Sequence, residues 1–213
     1  MKAVNIRSFG DWSALQWSDV PELTCKSNQV KVQVKAASIN HLDIWIRKGI
    51  ANPNIGFPHI LGSDASGIIV EKGRDVKNYN INDSVVIQPG CFDEDCKYVK
   101  AGKEHYSSTY QILGENTAGV QSEYITLSTK NVYNKPNHLS YEEASSVGLV
   151  FMTAYEMLIK RANLKKNELV LIYGATSGVG MAAIQIAKDV GAQVITTVGT
   201  DSKKEIIENL GVE

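Results

Sequence analysis

Apolar residues follow two different periods along the chain. Up to about Pro136 they form short alternating or continuous runs, at Val30 to Ala36, Gly67 to Val70, Val85 to Ile87 and Tyr124 to Leu127, separated by Gly, Asn and Asp turns. Runs of this length between turn residues predict strands, and their succession predicts an irregular, mostly antiparallel β domain. Past Ser140 the period lengthens: Tyr141-Glu-Glu-Ala opens a helical spacing that runs through Leu149, Met152, Tyr155 and Ile159. From Glu168 to Glu213 the pattern reads strand (LVLIY), glycine turn, helix (VGMAAIQIAKDV), Gly191, strand (QVITTV) and helix (SKKEIIENL). That alternation predicts a parallel α/β sheet whose first strand is of the buried type. The expected division is a β domain over 1–136, then linking helices and an α/β region over 137–213.

The α/β region offers two strands and two helices, whereas a doubly wound dinucleotide fold is built from two βαβαβ halves. The expectation is an unfinished sheet with an apolar edge, either in a fragment of a longer protein or completed by strands from elsewhere. Composition narrows the class. At 213 residues, 43% hydrophobic and 21% charged, the chain is of ordinary globular type. Lys and Arg number 22 against 23 Asp and Glu, a formal charge of −1. No overall basic field is present to hold nucleic acid or an anionic membrane, so neither is expected as a partner. The opening MKAVNIRSFGDW lacks the apolar run of a signal peptide, and no stretch approaches the ~18 apolar residues of a membrane span. Three cysteines, Cys25, Cys91 and Cys96, argue against a disulfide scaffold. A cytoplasmic protein is expected.

Gly174-Ala-Thr-Ser-Gly-Val-Gly180 follows a strand and opens an apolar-faced helix. Missing side chains at Gly178 and Gly180 let the backbone approach a pyrophosphate, while free N–H groups and the helix dipole receive the anion. Ala175, Thr176, Ser177, Gly178, Val179 and Gly180 are therefore candidate cofactor contacts. Ala175 and Ser177 fill two glycine positions of G-x-G-x-x-G, and a tight turn without ligand is the alternative. A carboxylate for ribose hydroxyls is expected roughly 20 residues further on in an NAD site, but the second strand ends Thr197-Val-Gly-Thr200. Asp201 follows, and Ser202-x-x-Glu205 predicts a capping box that draws Asp201 into the next helix entry. Thr200 offers a hydroxyl, and Lys203 and Lys204 offer charge, where a 2′-phosphate would lie; NADPH is expected over NADH. The alternative makes both lysines solvated helix charges.

Asn40-His-Leu-Asp-Ile-Trp-Ile-Arg-Lys-Gly49, His59-Ile-Leu-Gly-Ser-Asp-Ala-Ser-Gly67, Asn82-Asp-Ser-Val-Val86 and the glycine turn occur in this order. In this the chain resembles the medium-chain dehydrogenase/reductase superfamily over essentially its whole length, and most closely its zinc-type alcohol dehydrogenase-like and quinone oxidoreductase-like branches. The resemblance implies an α/β protein with a chaperonin-10-like (GroES-like) β domain followed by a Rossmann dinucleotide-binding domain, truncated here. Family members continue well beyond residue 213, and the remainder completes the sheet and contributes the edge of a homodimer.

The family's catalytic zinc ligands match Asn40, Ser63 and about Leu149, none of them suited to the metal, so no metal site is expected. His59 is expected as a packed or surface residue. The structural zinc positions match Asp93, Cys96, Val99 and Ser107, a set with one thiolate. In zinc-free relatives the Asn of N-x-x-D lies at nicotinamide and substrate, which makes Asn40 the first catalytic candidate. Asp43 is its supporting partner or, equally, a helix cap. His41 is a possible proton relay, and Trp45 either a pocket wall or core. Thr153 matches a position beside the nicotinamide; its alternative is an interior helix threonine bonding its own backbone. The reading is a zinc-independent NADPH oxidoreductase delivering hydride to a small molecule: a quinone, enone or enoyl thioester. Competing readings are an alcohol or aldehyde dehydrogenase, which zinc stoichiometry would separate, and a nucleotide-binding module without turnover.

Overall fold

The computed structural model describes residues 1–93 and 95–212, so Glu213, the end of the expected α/β region, lies outside the described residues. The chain divides into two units, Met1–Gly148 and Leu149–Glu213.

In the first unit a five-stranded antiparallel sheet forms the centre. Its order is β10 (Val132–Asn134), β6 (Ser84–Ile87), β5 (Ala65–Lys72), β3 (Gln29–Ala37) and β9 (Tyr124–Ser128). The alternation in QVKVQVK sends Val30 and Val32 to one face, where they meet Ile69, Val85, Ile87, Ile125, Leu127 and Val132, all buried. Full burial of one such side chain contributes about 1.5–3 kcal/mol, so this stripe holds the sheet's register. Breaks in the β3–β5 register at Lys31/Val32 and Val34/Ala36 bend the pair. A smaller sheet joins β2 (Leu15–Asp19), β1 (Lys2–Ile6) and β4 (His59–Ile60). Helix α1 (His41–Arg47) buries Ile46 against Ile6 and Leu61. A lobe carries β7 (Gly90–Cys91), α2 (Lys97–Lys100) and β8 (Gln111–Ile112).

The first unit runs on to Gly148 because α3 (Tyr141–Ser145) is fastened to the sheet. Ser66 Oγ donates to Tyr141 O at 2.6 Å, and Ser84 Oγ lies 2.8 Å from the Tyr141 hydroxyl. A capping box opens α3: Ser140 Oγ accepts from Glu143 N, and the Glu143 carboxylate accepts from Ser140 N. The single helical spacing expected from Tyr141 to Ile159 is not continuous. Ser145 and Ser146 hydroxyls bond back to Glu142 O and Glu143 O, competing with further helix. A new helix, α4 (Gly148–Tyr155), follows and passes into a π-helical stretch, Glu156–Arg161.

The second unit pairs β11 (Leu169–Ile172) with β12 (Gln193–Thr196) in parallel, joined through α5 (Gly178–Val190), with α6 (Asp201–Glu208) after them. Gly191 ends α5 in the left-handed conformation, as helices closed by glycine do. Ala182, Ala183, Ile184 and Ala187 of α5 pack with Val170, Ile172 and Val194. The buried-type assignment of LVLIY needs correcting. Leu169, Leu171, Tyr173 and Ile195 are 62, 50, 75 and 45% exposed, because the unit's helices cover the alternate face.

Candidate functional site

Two polar groupings stand out, one in each unit. In the first unit Asn40 is the N-cap of α1, with extended backbone at φ −106°, and is 9% exposed. Its backbone N–H donates to Asp43 Oδ2 at 2.8 Å, and Gly62 N–H donates to Asp43 Oδ1 at 3.0 Å. Both carboxylate oxygens of Asp43 are thus engaged by backbone amides. Burial pushes the Asp43 carboxyl above its ordinary pKa, against the two N–H bonds, which favour the charged form. The Asn40 side chain completes a capping box with the Asp43 backbone, and its Nδ2 also donates to Asp64 Oδ2 at 2.8 Å. Asp64 is 1% exposed and sits at the entry to β5, where its carbonyl accepts from Ser38 N. A Cβ on Gly148 would come within 2.2 Å of Asp64 Oδ1, so that position is glycine because the carboxylate occupies its space. Asp64 and Gly148 were missed as site residues in the sequence, although Asp64 lies inside the His59–Gly67 motif.

Other candidates of this unit lie close by in the chain. His41 is exposed and stacks edge-on against Trp45, ring centroids 4.9 Å apart, and Trp45 is itself 46% exposed rather than core. His59 is buried, with Nε2 2.9 Å from Gly114 O.

In the second unit the glycine turn is shaped by its own backbone. Gly174 has φ +64° with open space where a Cβ would stand, while a Cβ on Gly180 would fall 2.5 Å from Gly174 O and 2.8 Å from Ala175 O. Ser177 caps α5, its Oγ accepting from Gly180 N at 3.0 Å. Thr197, to which the sequence pattern assigned no role, anchors the other side: its hydroxyl accepts from Gly174 N and its carbonyl from Ala175 N. Ala175 is fully buried. The N–H groups of Thr176, Gly178 and Val179 have no acceptor among the described residues. Three unpaired amides at the positive end of a thirteen-residue helix suit an anion. The Thr153 hydroxyl donates to Leu149 O at 2.7 Å, one turn back along α4.

At the end of β12 the expected box at Ser202-x-x-Glu205 does not form. Thr200 is the N-cap of α6 and Asp201 its first residue, because Thr200 O already accepts from both Lys203 N and Lys204 N. Thr200 Oγ1 lies 3.1 Å from Ser202 Oγ. Lys204 pairs with Glu208 at 3.5 Å, an exposed i,i+4 pair worth under about 0.5 kcal/mol. No ionic partner of Lys203 is found among the described residues.

The positions matching metal ligands do not fit a metal. Asn40 offers an amide nitrogen already donated to Asp64, Ser63 Oγ donates to Leu113 O at 2.8 Å, and Leu149 has no donor. In the lobe the Cys96 thiol is hydrogen-bonded to Ser107 and to the Tyr98 amide, which lower its pKa. Ser107 Oγ meets Thr109 Oγ1 at 2.8 Å, and that hydroxyl accepts from Asp93 N. Three of the four matched positions, Asp93, Cys96 and Ser107, are thus linked by hydrogen bonds, and Val99 supplies no ligand atom. Among the described residues no three His, Cys, Asp or Glu side chains converge.

The profile of the alcohol dehydrogenase GroES-like domain matches residues 26–137. Crotonyl-CoA carboxylase/reductase of Cereibacter sphaeroides is 34% identical over 94% of the chain and 48% of that protein. Human quinone oxidoreductase is 30% identical over 97% of the chain and 55% of that protein. A crystal structure of an NAD-dependent alcohol dehydrogenase superposes with a TM-score of 0.96 at 40% identity, covering 100% of this chain and 62% of that one. The chain belongs to the medium-chain dehydrogenase/reductase superfamily, through its alcohol dehydrogenase GroES-like domain. It spans about half the length of these curated relatives. Among the described residues no helix is long and apolar enough to cross a membrane.

Proposed function

We propose that the protein is a zinc-independent oxidoreductase that takes NADPH and reduces a quinone, an enone or an enoyl thioester. The observation that carries this reading is the row of unpaired amides at Thr176, Gly178 and Val179 in the bend held by Ser177 and Thr197. These amides receive the pyrophosphate. Thr200 and Lys203, with Lys204 after release from Glu208, receive the 2′-phosphate, and the absence of a carboxylate at the end of β12 removes the repulsion such a group would exert. Human quinone oxidoreductase and crotonyl-CoA carboxylase/reductase among the relatives support the acceptor classes.

A bound nicotinamide would supply hydride chemistry, two electrons and one hydrogen nucleus, with a proton completing the reduction. This chain's residues handle the charge. Asn40 hydrogen-bonds the substrate oxygen, Asp43 holds the helix start that carries Asn40, and the exposed ring of His41 relays the proton from solvent. Thr153 contacts the nicotinamide after giving up its bond to Leu149. The donor chemistry at Asn40, Ser63 and Leu149 supports zinc independence. We further propose a cytoplasmic homodimer.

The test is cofactor titration of the purified protein by fluorescence, NADPH against NADH, with elemental analysis and an acceptor panel of quinones, enones and enoyl thioesters. Tighter NADPH binding, turnover on the panel and sub-stoichiometric zinc are expected. Activity on alcohols that requires stoichiometric zinc would replace this reading with an alcohol dehydrogenase, and binding without turnover would replace it with a nucleotide-binding module.

A further inference from the structure

Asn40 carries a carboxamide whose two ends differ, one nitrogen that donates and one oxygen that accepts. A substrate oxygen that gains negative charge needs the donor end. Which end is available depends on what holds the other, and in this fold the holder is a carboxylate 24 positions along the chain: Asp64 Oδ2 accepts from Asn40 Nδ2 at 2.8 Å. A carboxylate only accepts, so the nitrogen end must face it. This contact ties one N–H of Asn40 inward, leaves the second N–H as the donor, and fixes the rotation of the amide plane. Both residues are buried, Asn40 at 9% and Asp64 at 1% exposure, where a charge-assisted hydrogen bond is weakly screened. Asp64 is itself confined: its other oxygen fills the space in which Gly148 would carry a Cβ, 2.2 Å away.

We propose that Asp64 is a positioning residue of the reaction, acting through Asn40 to set the orientation of its amide, with Gly148 shaped to admit the carboxylate. The inference rests on the assignment of Asn40 to the substrate oxygen. Asp64 does not touch the reacting atoms. Its contribution is that the remaining N–H of Asn40 is held in one orientation before substrate arrives, and misplacement of a catalytic group by about 1 Å is enough to slow a reaction by about 100-fold.

A double-mutant cycle on the purified protein tests this, with kcat, KM for NADPH and the primary isotope effect from 4-deuterated NADPH as kinetic readouts. Asp64→Ala is expected to lower kcat about 10- to 100-fold, to leave KM for NADPH within about 2-fold, and to raise the isotope effect as hydride transfer becomes limiting. Asp64→Asn keeps an acceptor oxygen in the same shape and is expected to recover most of that loss. Added to Asn40→Ala, Asp64→Ala is expected to do little more. Gly148→Ala, which leaves the carboxylate in the chain and crowds it, is expected to reproduce the kcat loss should Asp64→Ala not fold.

The inference is overturned if Asp64→Ala slows the Asn40→Ala background by the factor seen in the unmutated protein, or if Asp64→Asn is as damaging as Asp64→Ala. A second readout does not depend on turnover. The Asn40 side-chain ¹⁵N–¹H pair is expected to move upfield in Asp64→Ala, and an unmoved pair overturns the orientation argument. A protein that turns over none of the acceptors with either cofactor removes the proposed function, while the resonance still reports whether Asp64 holds the amide.

Discussion

Replacing Asp43 with Asn tests the assignment of the α1 start most directly. The carboxylate accepts from two backbone amides, Asn40 N at 2.8 Å and Gly62 N at 3.0 Å. An Asn side chain retains one acceptor oxygen and places its NH₂ against the other N–H, so one bond becomes neutral and the second becomes a donor facing a donor. Hydrogen bonds to a charged group contribute about 1.5–3 kcal/mol each, and leaving a buried donor unsatisfied costs about 1–3 kcal/mol. Against this, the substitution removes a buried charge whose pKa is raised by burial, which returns part of the loss. The expected net destabilisation is about 2 kcal/mol at neutral pH, a shift of about 4–8 °C in a unit of this size. Backbone amide hydrogen exchange within the Met1–Gly148 unit is the assay, because Trp12, Trp17 and Trp45 are already largely exposed in the folded protein. The pH dependence has a definite sign. A carboxyl with a raised folded pKa contributes stability present below its unfolded pKa and lost as pH rises through the folded value. The difference between the native protein and Asp43→Asn should therefore be largest in acid and narrow on raising the pH. An Asp43→Asn protein of equal or greater stability at neutral pH would refute the reasoning, since the NH₂ set against a backbone N–H would then cost less than removal of the buried charge returns.

Replacing Lys203 and Lys204 together with Glu should reduce the NADPH-to-NADH binding preference at least about tenfold, by removing two cations near a 2′-phosphate; an unchanged ratio in fluorescence titration would relocate the phosphate. Of the single changes, Lys203→Glu should have the larger effect, because Lys204 is already paired with Glu208. Gly180→Ala places a Cβ 2.5 Å from Gly174 O and should destabilise the second unit by about 1–3 kcal/mol and weaken coenzyme binding, read by denaturant titration and fluorescence. Ser177→Ala removes the α5 cap at 3.0 Å and should cost about 1 kcal/mol while leaving the three unpaired amides in place.

Elements defined by local chemistry were legible in the sequence. The strands around Val30 to Ala36 and Val85 to Ile87, the 174–180 bend and the helix after it follow from periodicity, turn residues and a serine cap, all within a few positions. The N-x-x-D spacing likewise contained the possibility of a helix cap at Asp43, because residues three apart meet at a helix start. The strands β1, β2 and β4 escaped, since Asn5 interrupts the apolar positions of KAVNI, LQWSD is mostly exposed and HI is two residues long.

Sequence by itself therefore determined where backbone amides would lie bare for an anion and which ligand atoms a metal would lack. Tertiary structure alone decided what the polar side chains do with one another. Asp43 reaches Gly62 across 19 positions, Asn40 reaches Asp64 across 24, and α3 joins the first unit through a bond from Ser66 to Tyr141 across 75. The reason is physical: periodicity and capping act between residues close in the chain, whereas a buried carboxylate takes its partners from whichever strands the apolar core brings alongside it.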